Sequence, residues 1–389
     1  MLVFNQTKIE KCEEILGYLV SWDTRQPEGN EKEIVDYIEM LFGDTVEKEV
    51  YLHSPKRASL VLKFDGEQKD GGIAFVGHLD TVSYENPDDW KYNPLEAVVE
   101  DGVMYGRGTA DMKSGVCAMI LAALYLQEQK VKLKKPVYFC FTADEERGGI
   151  GIQKIIESGI LNTIDAAIIC EPSSRKIGIG EKGALWLQVT ATGAAAHGSN
   201  PSAGTNALDC LIEIKTMLDS YMTKENGDSM LGKSTISLTK MNGGTGTNII
   251  PVYGSMELDI RTIPETKNSE ILEFLETACK EVQRKNREFK YGIHILNNRG
   301  SVCTKEDNPF VQDFKTAVES LEIEANCAGL KYYTDASQMI PPLNIPFIIF
   351  GPGEAEQAHK TNEHVSLHSV KECSDIYITY LINYCGGRI

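Results

Sequence analysis

Four short runs, Gly72-Ile-Ala-Phe-Val-Gly, Pro136-Val-Tyr-Phe-Cys-Phe, Ala166-Ala-Ile-Ile-Cys and Pro346-Phe-Ile-Ile-Phe-Gly, are apolar at nearly every position rather than at every second one. A strand with one wet face alternates, whereas a strand covered on both faces does not, so these runs belong in the middle of a sheet flanked by helices. Helical spacing lies before and between them. Ile9, Cys12, Ile15, Leu16 and Leu19, then Ile34, Ile38 and Leu41, predict two helices between Lys8 and Phe42, and further helices are expected at 114–129, 150–158 and 310–321. With a strand at 59–64, this alternation predicts an α/β fold with a mixed sheet and flanking helices.

The pattern changes near Gly180. Ala184-Leu-Trp-Leu-Gln-Val-Thr-Ala-Thr opens a series of strands that are more nearly amphipathic. Strand (184–192), helix (204–221), strands (234–241 and 252–262), helix (267–286) and strand (289–296) give the βαββαβ order of a ferredoxin-like α+β unit. The chain has 389 residues, long for one core and comfortable for two. The expected organisation is one domain in two segments, 1–180 and 298–389, with a second domain inserted at 181–297.

Charge and apolar runs narrow the setting. Thirty-nine basic against 56 acidic residues leave a net charge of −17, a field that repels phosphate backbones and anionic membrane surfaces. Neither nucleic acid nor membrane is an expected partner. The longest apolar run, Val116 to Leu126, is well short of the roughly 20 residues that span a bilayer, and the first residues do not read as a secretory signal, so a cytoplasmic protein is expected. Ten cysteines are scattered without Cys-x-x-Cys spacing and read as buried free thiols.

Polar residues fall at informative places. The first apolar run ends in His78-Leu-Asp80, the second runs into Asp144-Glu145-Glu146, the third into Glu171, and the fourth precedes His359; Asp111 lies just ahead of the helix at 114–129. Sites in open α/β sheets form beyond the carboxyl ends of the strands, where these residues could converge. Two imidazoles and several carboxylates without a thiolate suit zinc, with Co²⁺ or Mn²⁺ as substitutes, and the set is large enough for two ions. His78-x-Asp80 would allow a carboxylate to orient a metal-binding imidazole. Adjacent glutamates at 145 and 146 are costly near a core unless one meets a cation and the other takes a proton. Taken singly, each has a plainer reading: a structural His-x-Asp, a solvated acidic turn, a turn residue before Pro172, a surface histidine. None of those readings requires all of them to follow buried strands or open a buried helix.

His78-Leu-Asp80-Thr-Val, Tyr105-Gly-Arg-Gly-Thr-Ala-Asp111-Met-Lys-Ser-Gly, Thr142-Ala-Asp-Glu145-Glu146, Cys170-Glu171-Pro172 and Ala358-His359-Lys together resemble the dizinc amidohydrolases and exopeptidases that include succinyl-diaminopimelate desuccinylase, acetylornithine deacetylase, aminoacylase and bacterial glutamate carboxypeptidase. The resemblance implies that Asp111 bridges two Zn²⁺ ions, with His78 and Glu171 at one and Glu146 and His359 at the other. It makes Glu145 the general acid/base and Asp80 the residue that orients His78, and it implies a cis Asp111–Met112 peptide. Glutamate at 171 resembles the desuccinylases and deacetylases more than the carboxypeptidases.

Three residues of the insert and one turn complete the expected site. His197, in Gly193-Ala-Ala-Ala-His197-Gly-Ser, reads on composition as a capping or loop residue; the resemblance makes it a lid histidine that reaches a partner subunit's active site and serves the oxyanion. Asn248 sits on a glycine-rich turn that lacks the Gly-Lys-Ser/Thr ending of a nucleotide cradle. Arg261 reads either as a solvated strand end or as a fork for a substrate carboxylate. Resemblance sets both near substrate, and Gly351 beside the substrate amide. The expected activity is hydrolysis of an amide in an N-acyl amino acid or short peptide by a homodimer, with desuccinylase or deacetylase chemistry favoured over peptidase chemistry. The alternative from another class, a catalytically silent metal-binding scaffold, would show missing ligands or base, and none is missing.

Overall fold

Three of the four apolar runs become strands buried at every position, and the fourth is buried everywhere except Asp165. The structure is a computed structural model that describes residues 7–223, 227–228 and 230–386. It divides into two units, Met1–Ile179 with Cys303–Ala328 and Thr334–Ile389, and Gly180–Val302 with Gly329–Tyr333.

The first unit runs in chain order through helices α1 (Thr7–Ser21) and α2 (Glu31–Phe42), strands β1 (Glu47–Ser54), β2 (Arg57–Phe64) and β3 (Gly72–His78), and a small pair, β4 (Val98–Glu100) and β5 (Val103–Tyr105). Next come α3 (Lys113–Glu128), β6 (Val137–Thr142), α4 (Ile150–Ser158), β7 (Ile164–Ile169) and β8 (Ile177–Glu181). The second unit holds β9 (Gly183–Thr192), α5 (Ala207–Met222), β10 (Thr235–Gly243), β11 (Tyr253–Thr262), α6 (Asn268–Lys285) and β12 (Lys290–Arg299). The chain then returns through β13 (Val302–Cys303), α7 (Pro309–Glu319), β14 (Cys327–Leu330), α8 (Ala336–Leu343), β15 (Phe347–Ile349), β16 (His364–Ser366) and α9 (Leu367–Tyr384).

The large sheet has the order β1-β2-β6-β3-β7-β15-β8-β13, with β14 also against β8. Its centre, β6-β3-β7-β15, is parallel, and β2 joins β6 antiparallel. Parallel central strands point their carboxyl ends the same way, which brings the ends of β3, β6 and β7 to one edge. Helix α3 is apolar around nearly its whole circumference and is accordingly buried nearly throughout, against α1 and α9. Its first turn presses on the end of β7: a Cβ on Gly115 would lie 1.9 Å from the carbonyl oxygen of Cys170.

In the second unit the order β10-β11-β9-β12 is that of a ferredoxin-like sheet, antiparallel throughout. Leu185, Leu187, Val189, Met256, Leu258 and Ile260 form the core beneath α5 and α6, while Gln188, Thr190, Glu257 and Asp259 alternate onto the open face. The unit reaches Val302 rather than residue 297, because polar Asn297, Asn298 and Arg299 continue the ladder opposite Trp186, Leu185 and Ala184 after the apolar run has ended. The segment Gly329–Tyr333 also belongs to it. All ten cysteines are thiols, eight of them buried. Among the described residues no helix is long and apolar enough to cross a membrane.

Replacing Gly115 by Ala forces a methyl into a backbone oxygen that cannot move aside without shifting Glu171. The expected result is a loss of about 1–3 kcal/mol of stability, read as a lower melting temperature by scanning calorimetry.

Candidate metal centre

Strand β3 ends on His78, β7 is followed by Cys170 and Glu171, β6 runs into Asp144–Glu146, and Asp111 precedes α3. Their side chains meet. His78 Nε2 lies 3.2 Å from Asp111 Oδ1 and 3.5 Å from Glu171 Oε1, and His359 Nε2 lies 3.4 Å from Asp111 Oδ2 and 3.1 Å from Glu146 Oε2. Asp111 therefore offers one oxygen to each imidazole. The Asp111–Met112 peptide is cis.

Donor atoms around a tetrahedral zinc, at bond lengths of ~2.0–2.2 Å, stand ~3.3–3.6 Å apart, close to all four of these separations. Ligand atoms of His78, Glu145 and Glu171, and of His78, Asp111 and Glu146, also lie within 4.8 Å of one another. The set fits divalent cations. Electrostatics says the same: burial opposes charge on His78, but Glu171, Asp111 and Asp80 overcome it and hold the imidazole well above its ordinary pKa. Hydrogen bonds to Asp111 and Glu146 push His359 up to about 11. Burial, reinforced by the like charge of Asp111, raises Glu146 and Glu171. Burial would raise Asp111 too, yet its bonds to both histidines hold it below the carboxylate range. A concentration of carboxylate that turns both histidines into cations is a place where metal can replace protons.

Asp80 acts through other atoms than the sequence suggests. His78 Nδ1 lies 2.9 Å from the Asp80 backbone carbonyl and 3.8 Å from its carboxylate. That carboxylate accepts the backbone N–H groups of Glu145 at 3.1 Å and Glu146 at 3.2 Å, and Gln26 Nε2 at 2.7 Å. Asp80 thus fixes the turn that carries the two glutamates. Gln26 leads on to Arg57, which pairs with buried Glu31 and with Asp144.

Sequence reasoning missed Gln26, Arg57 and above all Glu363. Fully buried, Glu363 pairs with Arg107 Nη1 and accepts three backbone N–H groups of the loop that ends on Asp111. Its only sequence signal is its place four residues after His359. Gly351 is buried, and a Cβ there would meet the carbonyl oxygens of Cys170 and Glu171 at 2.5 Å, so it is a point of close packing behind a candidate ligand.

Within the second unit, His197 is exposed and its Nδ1 accepts the backbone N–H of Ser199 at 3.2 Å, with Ser199 Oγ 2.7 Å away. In the neutral ring this leaves Nε2 as the N–H donor. Asn248 is exposed beside it, its carbonyl accepting the N–H of Gly198. The fork of Arg261 is occupied by Asp259, at 2.8 and 3.1 Å, two residues away on the same strand face. The neighbouring arginine is different. Arg299 is 3% exposed, stacks 5.0 Å from the Tyr333 ring, and none of its three guanidinium nitrogens has a hydrogen-bond partner among the described residues. Trp186 Nε1 and Asn297 Nδ2 also lack one. Arg261 and Arg299 pair with Ala184 from either side, and Asp259 and Asn297 with Trp186, so these groups share one face.

Over an alignment 398 positions long the chain is 28% identical to a probable succinyl-diaminopimelate desuccinylase of Staphylococcus aureus (strain N315), covering 95% of this chain and 94% of that one. A tripeptidase structure from Staphylococcus aureus subsp. aureus Mu50 superposes with a TM-score of 0.77 at 20% identity, over 97% of this chain and 99% of that one. The YXEP protein of Bacillus subtilis, a dinuclear metal-binding peptidase from the M20 family, superposes with a TM-score of 0.74 at 16% identity, over 98% and 99%. These likenesses cover both units. With the family model for Peptidase family M20/M25/M40 matching residues 74–383, the chain belongs to that family of metallohydrolases.

Proposed function

We propose that the protein hydrolyses the amide bond of an N-acyl amino acid, as a desuccinylase or deacetylase does, using two zinc ions for which cobalt or manganese can substitute. The observation that carries this reading is Asp111, with one carboxylate oxygen toward each of two imidazoles and buried Glu145 beside them. His78, Asp111 and Glu171 would hold one ion, and Asp111, Glu146 and His359 the other. Bound there, the ions supply a polarised carbonyl and a water of lowered pKa. Glu145 takes the proton of the attacking water and returns it to the leaving nitrogen, while Asp80 keeps the turn that carries Glu145 in place. His197, with its Nε2–H outward, is the oxyanion donor of this reading, presented to the partner copy, and Asn248 lies beside substrate. The 28%-identical probable desuccinylase supports the acyl-amino-acid substrate. The likeness to a tripeptidase keeps short peptides as the second reading.

Arg299, rather than the occupied Arg261, is the group we assign to a carboxylate on the substrate, with Trp186 and Asn297 as further donors and Arg261 at the rim. A homodimer paired through the second unit is supported by the open edge of β10 and by exposed Leu238 and Tyr253. Ten thiols without a disulfide support a cytoplasmic setting.

The direct test is amine release across N-succinyl-diaminopimelate, N-acetylornithine, other N-acyl amino acids and unblocked dipeptides; turnover of dipeptides alone would overturn the deacylase assignment. Activity should vanish on chelation and return with zinc. Glu145→Ala should keep the wild-type metal content while kcat falls about 10²–10⁴-fold. Arg299→Ala should raise KM about 10- to 100-fold for a free-carboxylate substrate and leave the corresponding carboxamide unchanged, as expected for loss of a charge-assisted bond worth ~1.5–3 kcal/mol. Sedimentation velocity at assay concentration should show a dimer; a monomer would remove His197 from its role in trans.

A further inference from the structure

We propose that Glu363 is a positioning residue that sets the span between Asp111 and His359, and thereby the affinity of the cation position those two share with Glu146. The inference rests on the two-cation reading of the site and goes beyond it, to what holds one position in shape. Glu363 Oε1 accepts the N–H groups of Ala110 at 2.7 Å and Asp111 at 2.9 Å; Oε2 accepts Gly108 N–H at 3.1 Å and pairs with Arg107 Nη1. The backbone of Glu363 accepts Gly106 N–H at 3.0 Å, and the next residues zip β16 onto β5, His364 opposite Tyr105. Just upstream, Asn362 Oδ1 accepts the N–H of Lys91 at 2.6 Å. The loop that ends on Asp111 and the segment that begins at His359 are thus one hydrogen-bonded body with a buried carboxylate at its hub.

Only an acceptor-only group suits that hub. A carboxylate meets four donors with two oxygens, and Arg107, itself buried, offsets its charge. Glutamine would turn an NH₂ group toward either backbone N–H donors or a guanidinium, and aspartate would be one methylene short. Either change shifts the loop against His359 while leaving every ligand side chain in the sequence unchanged, and displaced supporting groups typically weaken metal binding 10–100-fold.

The test uses the full chain stripped of metal and titrated with Co²⁺, following visible absorption and bound metal by elemental analysis. Wild type should take two equivalents. Glu363→Gln should hold the first with near wild-type affinity and the second at least 10-fold more weakly, with a changed absorption envelope, and Glu363→Asp should fall between. Val365→Ala, a cavity in the same short strand, should lower the melting temperature yet keep both equivalents and the spectrum. Two equivalents at wild-type affinity in Glu363→Gln would overturn the proposal, as would equal loss of the second cation in Val365→Ala. If the glutamine variant does not fold, Glu363→Asp decides by the same readouts. Wild type that takes fewer than two equivalents overturns the two-cation reading and this inference with it.

Discussion

Six carboxylates, Asp80, Asp111, Glu145, Glu146, Glu171 and Glu363, crowd one edge of the sheet, and the structure around them is organised by the need to keep that charge from repelling itself apart. The fold gives them two kinds of partner. Asp80 and Glu363 face backbone N–H groups and, for Glu363, a guanidinium, so their charge is neutralised by the frame and they in turn fix two loops. Asp111, Glu146 and Glu171 face imidazoles, with which they can share a divalent cation in place of a proton. Frame and ligands are therefore the same residue types distinguished by what donates to them.

This distinction explains what was legible in the sequence. Strands buried on both faces announced themselves by losing alternation, and their ends pointed to His78, Glu145, Glu146 and Glu171. Of the two frame residues only Asp80 carried that marker: Glu363 follows no apolar run, and its donors lie in a loop far earlier in the chain. Helix α9 was also silent. Ile376, Tyr377, Ile378 and Tyr380 are poor helix formers, and burial against α3 and the sheet, with Tyr377 bonded to the Phe350 carbonyl, decides their conformation. Helix α8, with Pro341 and Pro342 near its end, gave a turn signal instead.

In the second unit the lesson concerns arginines. Arg261 looked available because it ends an amphipathic strand, yet an acidic residue two positions back on the same face takes its fork. The spacing Asp259-x-Arg261 held that information. Arg299 lies outside the strand expected at 289–296 and is a buried residue stacked on Tyr333, which comes from a separate segment that no local pattern connects to it.

Strand β15 lies between β7 and β8, yet it is made from residues 347–349, near the end of the chain. A ribosome that has delivered the first three hundred and forty residues has made a sheet with a rib missing from its middle and a cluster of acids without its second imidazole. One segment, residues 347–359, supplies both at once. Completion of the core and acquisition of full binding capacity are consequently one event, and a chain cut before residue 347 loses architecture and chemistry together rather than in stages.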